Sequence, residues 1–190
     1  VSVLYTGDPH FEHERIIELC HRPFHDVDEM NKTIVFRWNL TVRPDDIVYV
    51  LGDVTGGGLA GLRWVRELNG HLILVAGNHD QCHPMHSNWR KAMPKYRDAG
   101  FEEIVPFVTR KIGKHRVLLS HFPYTADHTD EPRYGQYRLP DLGMPLIHGH
   151  THQPTRENGH QLHVGMDAWD FTPVPEHLVV AWLDGLELAA

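Results

Sequence analysis

Five short segments of this 190-residue chain bring aspartate, asparagine and histidine together. In order they are Asp8-Pro9-His10, Gly52-Asp53, Gly77-Asn78-His79-Asp80, His121, and Gly149-His150-Thr151-His152. The last lies in "PLIHGHTHQP", where His148, His150 and His152 alternate. In an extended strand that spacing puts side chains on one face. Metal ligation and a proton relay are both open to such imidazoles. Asp8, Asp53, Asn78, His10, His121, His150 and His152 together offer two carboxylates, one carboxamide and four imidazoles, without sulfur. Nitrogen and oxygen donors of this kind suit Mn²⁺, Fe or Zn²⁺ better than Cu(I) or an iron–sulfur cluster. The set is too large for one ion of about four to six ligands. It suits two ions sharing a bridging carboxylate, and two ions about 3.5–4 Å apart form a clamp for in-line displacement at phosphorus.

What positions these groups is a run of short apolar stretches: 1–6, 46–51, 71–76, 116–120 and 145–148. Each is rich in Val, Ile and Leu and bounded by turn residues, which predicts buried strands. Every one hands the chain to a polar segment at its carboxyl end, where ligands bind in α/β folds. Helical periodicity fills the gaps. Asp26 and Glu29 open 26–40 at capping-box spacing, and Met30, Ile34 and Trp38 follow on one face. Helices are also expected over 12–20, 59–68 and 87–98. The region 101–120 reads as a hairpin turning near Gly113, and 156–165 carries an Asn-Gly turn. The expectation is an α/β fold with mixed sheets, organised as a single domain over residues 1–190.

Composition narrows the function classes. The chain is 41% hydrophobic, and no apolar run approaches the roughly 20 residues of a membrane-spanning helix. The opening "VSVLYTGDPH" lacks the basic stretch and length of a signal peptide, which points to a cytoplasmic protein. Cys20 and Cys82 have no paired spacing and read as free thiols. A net charge of −7 argues against stable nucleic-acid binding, although 89–97 and 110–116 are locally basic. The 17 histidines are dispersed, unlike those of a metal-buffering tract.

The ordered set of five motifs, from residue 8 to residue 152, resembles the calcineurin-like metallophosphoesterase family, in particular its small bacterial and bacteriophage members. The segments "HRPF" (21–24) and "HVGMDAWDFTPV" (163–174) resemble parts of a small-protein subfamily. The resemblance implies a four-layer αββα sandwich, two mixed β-sheets flanked by helices. It implies one metal held by Asp8, His10, Asp53 and His152, and a second by Asp53, Asn78, His121 and His150. Asp53 would bridge them. His79 would contact the phosphate and protonate the leaving group, and Asp80 would orient His79. The implied reaction is in-line attack on a phosphodiester by a hydroxide bridging two divalent ions, Mn²⁺ foremost, with Fe, Zn²⁺ or Ni²⁺ as alternatives. A nucleotide or small diester is the expected substrate; phosphomonoesters or phosphoproteins are the alternative.

Three further residues are candidates for touching substrate: Arg22 of "HRPF", His13 one turn beyond His10, and Tyr124. Tyr124 opens a polar stretch, 122–144, that also holds His128, Arg133, Tyr134 and Tyr137 and has the length of a functional loop. His148 lies in the body of a strand and is expected to support the site rather than bind metal.

Overall fold

The computed structural model describes residues 1–127, 129, 131 and 133–189; His128 lies outside them. Two five-stranded mixed sheets, flanked by helices, make up the fold. In the first sheet, β1 (Val3–Thr6), β2 (Ile47–Val50), β3 (His71–Val75) and β4 (Phe101–Val105) run parallel, in that spatial order. The strand β10 (Val174–Pro175) closes the β1 edge antiparallel. The second sheet has the order β5 (Phe107–Ile112), β6 (His115–Ser120), β7 (Leu146–His148), β9 (Gln161–His163), β8 (Glu157–Asn158). There β6, β7 and β9 are parallel neighbours, and the two outer pairs are antiparallel.

The strands divide their side chains between two cores, as a period of two requires. Leu4, Val48, Val50, Leu72 and Leu74 face α2 (Val27–Thr41) and α4 (Trp89–Ala99). Tyr5, Leu51 and Val75 instead meet Val117, Leu119, Ile147 and Leu162 of the second sheet, with α5 (Glu176–Ala189) completing that core. The helix α2 starts where its cap is: the Asp26 carboxylate accepts from Glu29 N at 2.8 Å. Glu29 reaches back to His25 N rather than to Asp26 N, so the capping box is displaced by one residue. Met30, Ile34 and Trp38 form its fully buried stripe, each stabilising the fold by roughly 1.5–3 kcal/mol.

Three expectations change. The helix over 59–68 contracts to one α turn, α3 (Leu62–Val65). On both sides of it the amides bond three residues back, Leu62 to Leu59 and Leu68 to Val65, giving tight turns instead of a continuous helix. The proposed hairpin over 101–120 is real only from Phe107 onward. Phe101–Val105 pairs with β3 in the other sheet, and the chain crosses between sheets at Pro106, which has no N–H to give a ladder. The helix expected over 12–20 is shorter as well, α1 (Arg15–Leu19). Among the described residues no helix is long and apolar enough to cross a membrane.

Candidate metal centre

Because β1, β2 and β3 are parallel neighbours, their carboxyl ends open on one edge. The parallel pair β6 and β7 does the same in the second sheet. The five polar segments therefore meet where the two edges face each other. Asp8 and His10 follow β1, Asp53 follows β2, Asn78 to Asp80 follow β3, His121 follows β6, and His150 and His152 follow β7. The chain must turn sharply at each end, and Asp8, His10, Asp53, His150 and His152 all have positive φ, between 51° and 75°. Non-glycine residues held in that region are costly and cluster at functional sites.

Close backbone approach joins the segments. A Cβ on Gly77 would lie 2.4 Å from Asp53 Oδ1, and one on Gly149 would lie 2.7 Å from Asp8 Oδ2. Only glycine fits there. Across the gap between sheets, His121 Nδ1 donates to Leu51 O at 2.8 Å, and Asp8 Oδ2 accepts from His150 N at 2.9 Å.

The side chains fall into two groups of potential ligands, Asp8 with His10 and His152, and Asp53 with His121 and His150. Ligand atoms within each group lie within 4.8 Å of one another. Asn78 joins the second group through Oδ1, 3.0 Å from His121 Nε2. The groups adjoin at Asp53, whose Oδ2 is 3.5 Å from His121 Nε2 and 3.7 Å from His10 Nε2.

Each imidazole is held at its other nitrogen, which fixes the tautomer and the aim of the ring. His121 uses Leu51 O, His10 meets His13 Nδ1 at 3.1 Å, and His152 Nδ1 meets Asp167 Oδ2 at 2.9 Å. His150 Nδ1 lies 3.2 Å from His121 Nε2, while its Nε2 lies 3.2 Å from Asp127 Oδ1. Asp127 and Asp167 did not stand out in the sequence. Asp167 sits in the "HVGMDAWDFTPV" segment, so a signal existed there without a role attached.

The electrostatics call for cations. Burial, and then the charge of Asp8, raise the Asp53 carboxyl well above its ordinary range. Burial opposes ionisation of Asp8 too, but His163, His152 and His121 outweigh it and hold Asp8 ionised. Burial, His152 and Arg22 keep His10 neutral. Asp8 Oδ1 and His10 Nε2 are buried with no hydrogen-bond partner. Unsatisfied buried acceptors of this kind are expensive, and a divalent cation would satisfy both. The donor set therefore fits metal.

Several expected roles change. Asp80 accepts from the backbone amides of Gly77, Asp53 and Val54 at 2.8–3.0 Å, so it ties two loops together rather than orienting the His79 ring. Burial and the Asp53 charge push its pKa up to about 7. Arg22 has its guanidinium taken up within the protein. It is buried, paired with Asp167, and bonded through Nη2 and Nη1 to Asp8 O and Pro9 O. Tyr124 is buried away from the centre, its hydroxyl donating to Met144 O at 3.0 Å. His13 stays near, its ring 5.2 Å from that of His10 and 6.1 Å from that of His79. His148 is buried, with Nδ1 2.8 Å from Gly149 O and its ring stacked on His163 at 5.4 Å.

A family model for the calcineurin-like phosphoesterase superfamily domain matches residues 7–166, a span that holds all five segments. The chain belongs to that superfamily. Its members are metal-dependent phosphoester hydrolases, typically with two ions, in keeping with the two groups of ligands. The Gene 66 proteins of Mycobacterium phages L5 and D29 are 40% and 36% identical to it. These alignments cover 87% and 92% of this chain and 86% and 93% of the relatives. A solved structure of a protein of unknown function from Aquifex aeolicus superposes with a TM-score of 0.71 at 27% identity, covering 95% of this chain and 98% of that one. The superfamily fold of two mixed sheets with flanking helices is thus the one seen here.

Proposed function

We propose that this chain hydrolyses phosphodiesters, of nucleotides or small diesters, at a centre of two divalent ions. The observation that carries the reading is the place of Asp53 Oδ2 between His10 Nε2 and His121 Nε2. That carboxylate is the natural bridge. Asp8, His10 and His152 would complete one site, and Asn78, His121 and His150 the other. When bound, the ions would make water nucleophilic near neutral pH and neutralise phosphoryl charge. Mn²⁺ heads the candidates, with Fe, Zn²⁺ and Ni²⁺ as alternatives.

His79 stands at the open edge of the centre, its ring 5.3 Å from that of His10. Its backbone N–H donates to Asp53 Oδ1 at 2.7 Å, so the loop that carries it is locked to the bridge. Burial and the imidazoles of His13, His121 and His152 lower its pKa to about 4. A bound phosphate would raise it again, readying the ring to give a proton to the departing oxygen. With Arg22 consumed by Asp167 and two carbonyls, the imidazoles of His10, His13, His79 and His152 line the opening where a phosphate would enter. The two free thiols, Cys20 and Cys82, suit a reducing compartment such as the cytoplasm.

The test is hydrolysis of bis(p-nitrophenyl) phosphate and p-nitrophenyl phosphate with each metal in turn. Turnover of the diester is expected to exceed that of the monoester, and Asp53→Asn to remove both while circular dichroism is unchanged. Full activity in metal-free Asp53→Asn would sink the reading; a preference for the monoester would favour a phosphomonoesterase.

A further inference from the structure

A trough of about 680 Å³ opens from the His10, His79 and His152 edge of the centre and runs along α1. That volume is of the size that takes a drug-sized ligand. One wall is apolar, made by Ile16, Leu19 and Cys20 of the α1 region and by Pro154 beyond the last metal motif. Residues 16, 19 and 20 share a face of the helical turn. Leu19 is 61% exposed, although a leucine in water gains nothing. The polar lining is Arg15, His21, His13, Thr151 and Gln153. Among the described residues no carboxylate lines this trough. A groove of about 700 Å³ along α2 and α3 holds none of the centre's residues and includes Asp28 and Glu67.

Resting on the phosphoesterase reading above, we propose that the trough seats the second arm of the diester, and that this arm is a nucleoside. A nucleoside has what the walls ask for: a flat, largely apolar body and a hydrogen-bonding edge. The strip of Ile16, Leu19 and Pro154 covers the body. Arg15, whose guanidinium both stacks on rings and donates from its edge, meets the base, with Gln153 alongside. The basic and imidazole groups of the described lining, Arg15, His13 and His21, suit an anionic substrate.

The experiment holds the leaving group constant and changes the arm. Thymidine 5′-(p-nitrophenyl phosphate) and methyl p-nitrophenyl phosphate are compared with the Mn²⁺-loaded protein, with p-nitrophenyl phosphate as a reference. Arg15 and Leu19 are exposed, so Arg15→Ala and Leu19→Glu are made without touching the core. The nucleoside ester is expected to have at least a tenfold higher kcat/KM than the methyl ester. Each variant is expected to lower that ratio about tenfold, mainly through KM, with the methyl ester within twofold of the parent. A parent ratio near one, or a ratio unchanged in both variants, overturns the assignment. So does hydrolysis of the monoester alone, which replaces the diesterase reading with a phosphomonoesterase. Hydrolysis of none of the three substrates with any metal overturns that reading and the trough with it.

Discussion

Arg22 and Asp167 lie 145 residues apart and form a buried two-pronged ion pair, Nε to Oδ1 at 2.8 Å and Nη2 to Oδ2 at 2.9 Å. Both ends reach the same half of the candidate metal centre. Asp167 holds His152 Nδ1, and Arg22 holds the carbonyl of Asp8, which has positive φ. Asp167 is kept ionised, against its burial, by Arg22 and His152. The pair therefore sets the aim of two candidate ligands that arrive from opposite sheets.

Removing this support should empty one ion position and spare the other. Asp167→Asn and Arg22→Lys are each expected to lower activity about 10- to 100-fold, the usual effect of a lost partner behind a metal ligand. Bound metal per chain, measured by mass spectrometry after gel filtration, should fall from two towards one. Two tightly held ions in both variants would show that the pair does not position the ligands.

Gly77→Ala should displace Asp53 directly. The new Cβ would stand 2.4 Å from Asp53 Oδ1 and 2.7 Å from Asp53 N, and backbone cannot yield as a flexible side chain would. The expected outcome is a folded protein with roughly 100-fold less activity and weaker metal binding, on the scale expected when catalytic groups shift by about 1 Å. Calorimetric titration with Mn²⁺ alongside circular dichroism checks both halves.

Asp80 predicts a loss of stability. Asp80→Ala would leave the amides of Gly77, Asp53 and Val54 without their acceptor. Buried donors left unsatisfied cost about 1–3 kcal/mol each, so a loss of about 3 kcal/mol or more is expected. Asp80→Asn keeps one acceptor oxygen and should lose less. Urea denaturation of the metal-free proteins ranks the three.

His83 predicts how stability follows pH. Burial, then His121 and His86, lower its pKa to about 4, and its Nδ1 accepts from Met85 N at 3.0 Å. The unfolded chain takes up this proton near pH 6.5, the folded chain only near 4. Protons thus favour the unfolded state as pH falls through that window, and stability drops. At pH 5 the contribution is about 1 kcal/mol once solvent screening is allowed for. His83→Gln in the metal-free protein should show a shallower loss between pH 7 and pH 5 than the parent. An identical slope would remove His83 from the account.

Much of the fold was readable because its strongest signals are local. The strands were marked by Val, Ile and Leu runs, four of the five followed by glycine, and α2 by a cap and a stripe. The weak elements failed for the same reason. Residues 59–68 carry helical spacing, yet tight turns at Ala60–Gly61 and beyond Val65 held only one α turn. Phe101–Val105 looked like half of a hairpin because sequence does not say which sheet a strand joins. That was decided by pairing with β3 and by Pro106.

The chain by itself determined the donor chemistry: carboxylates, a carboxamide and imidazoles at five strand ends, free of sulfur. Side-chain type and turn chemistry are local properties, so one dimension suffices. Tertiary structure decided the rest. It chose which nitrogen of each imidazole faces the centre, through Leu51 O, Asp127 and Asp167. It turned Arg22 inward, moved Asp80 from the His79 ring to three amides, and set Tyr124 against Met144 O. Those outcomes depend on contacts between residues as far as 145 positions apart, where buried charge and buried hydrogen-bond donors must find partners.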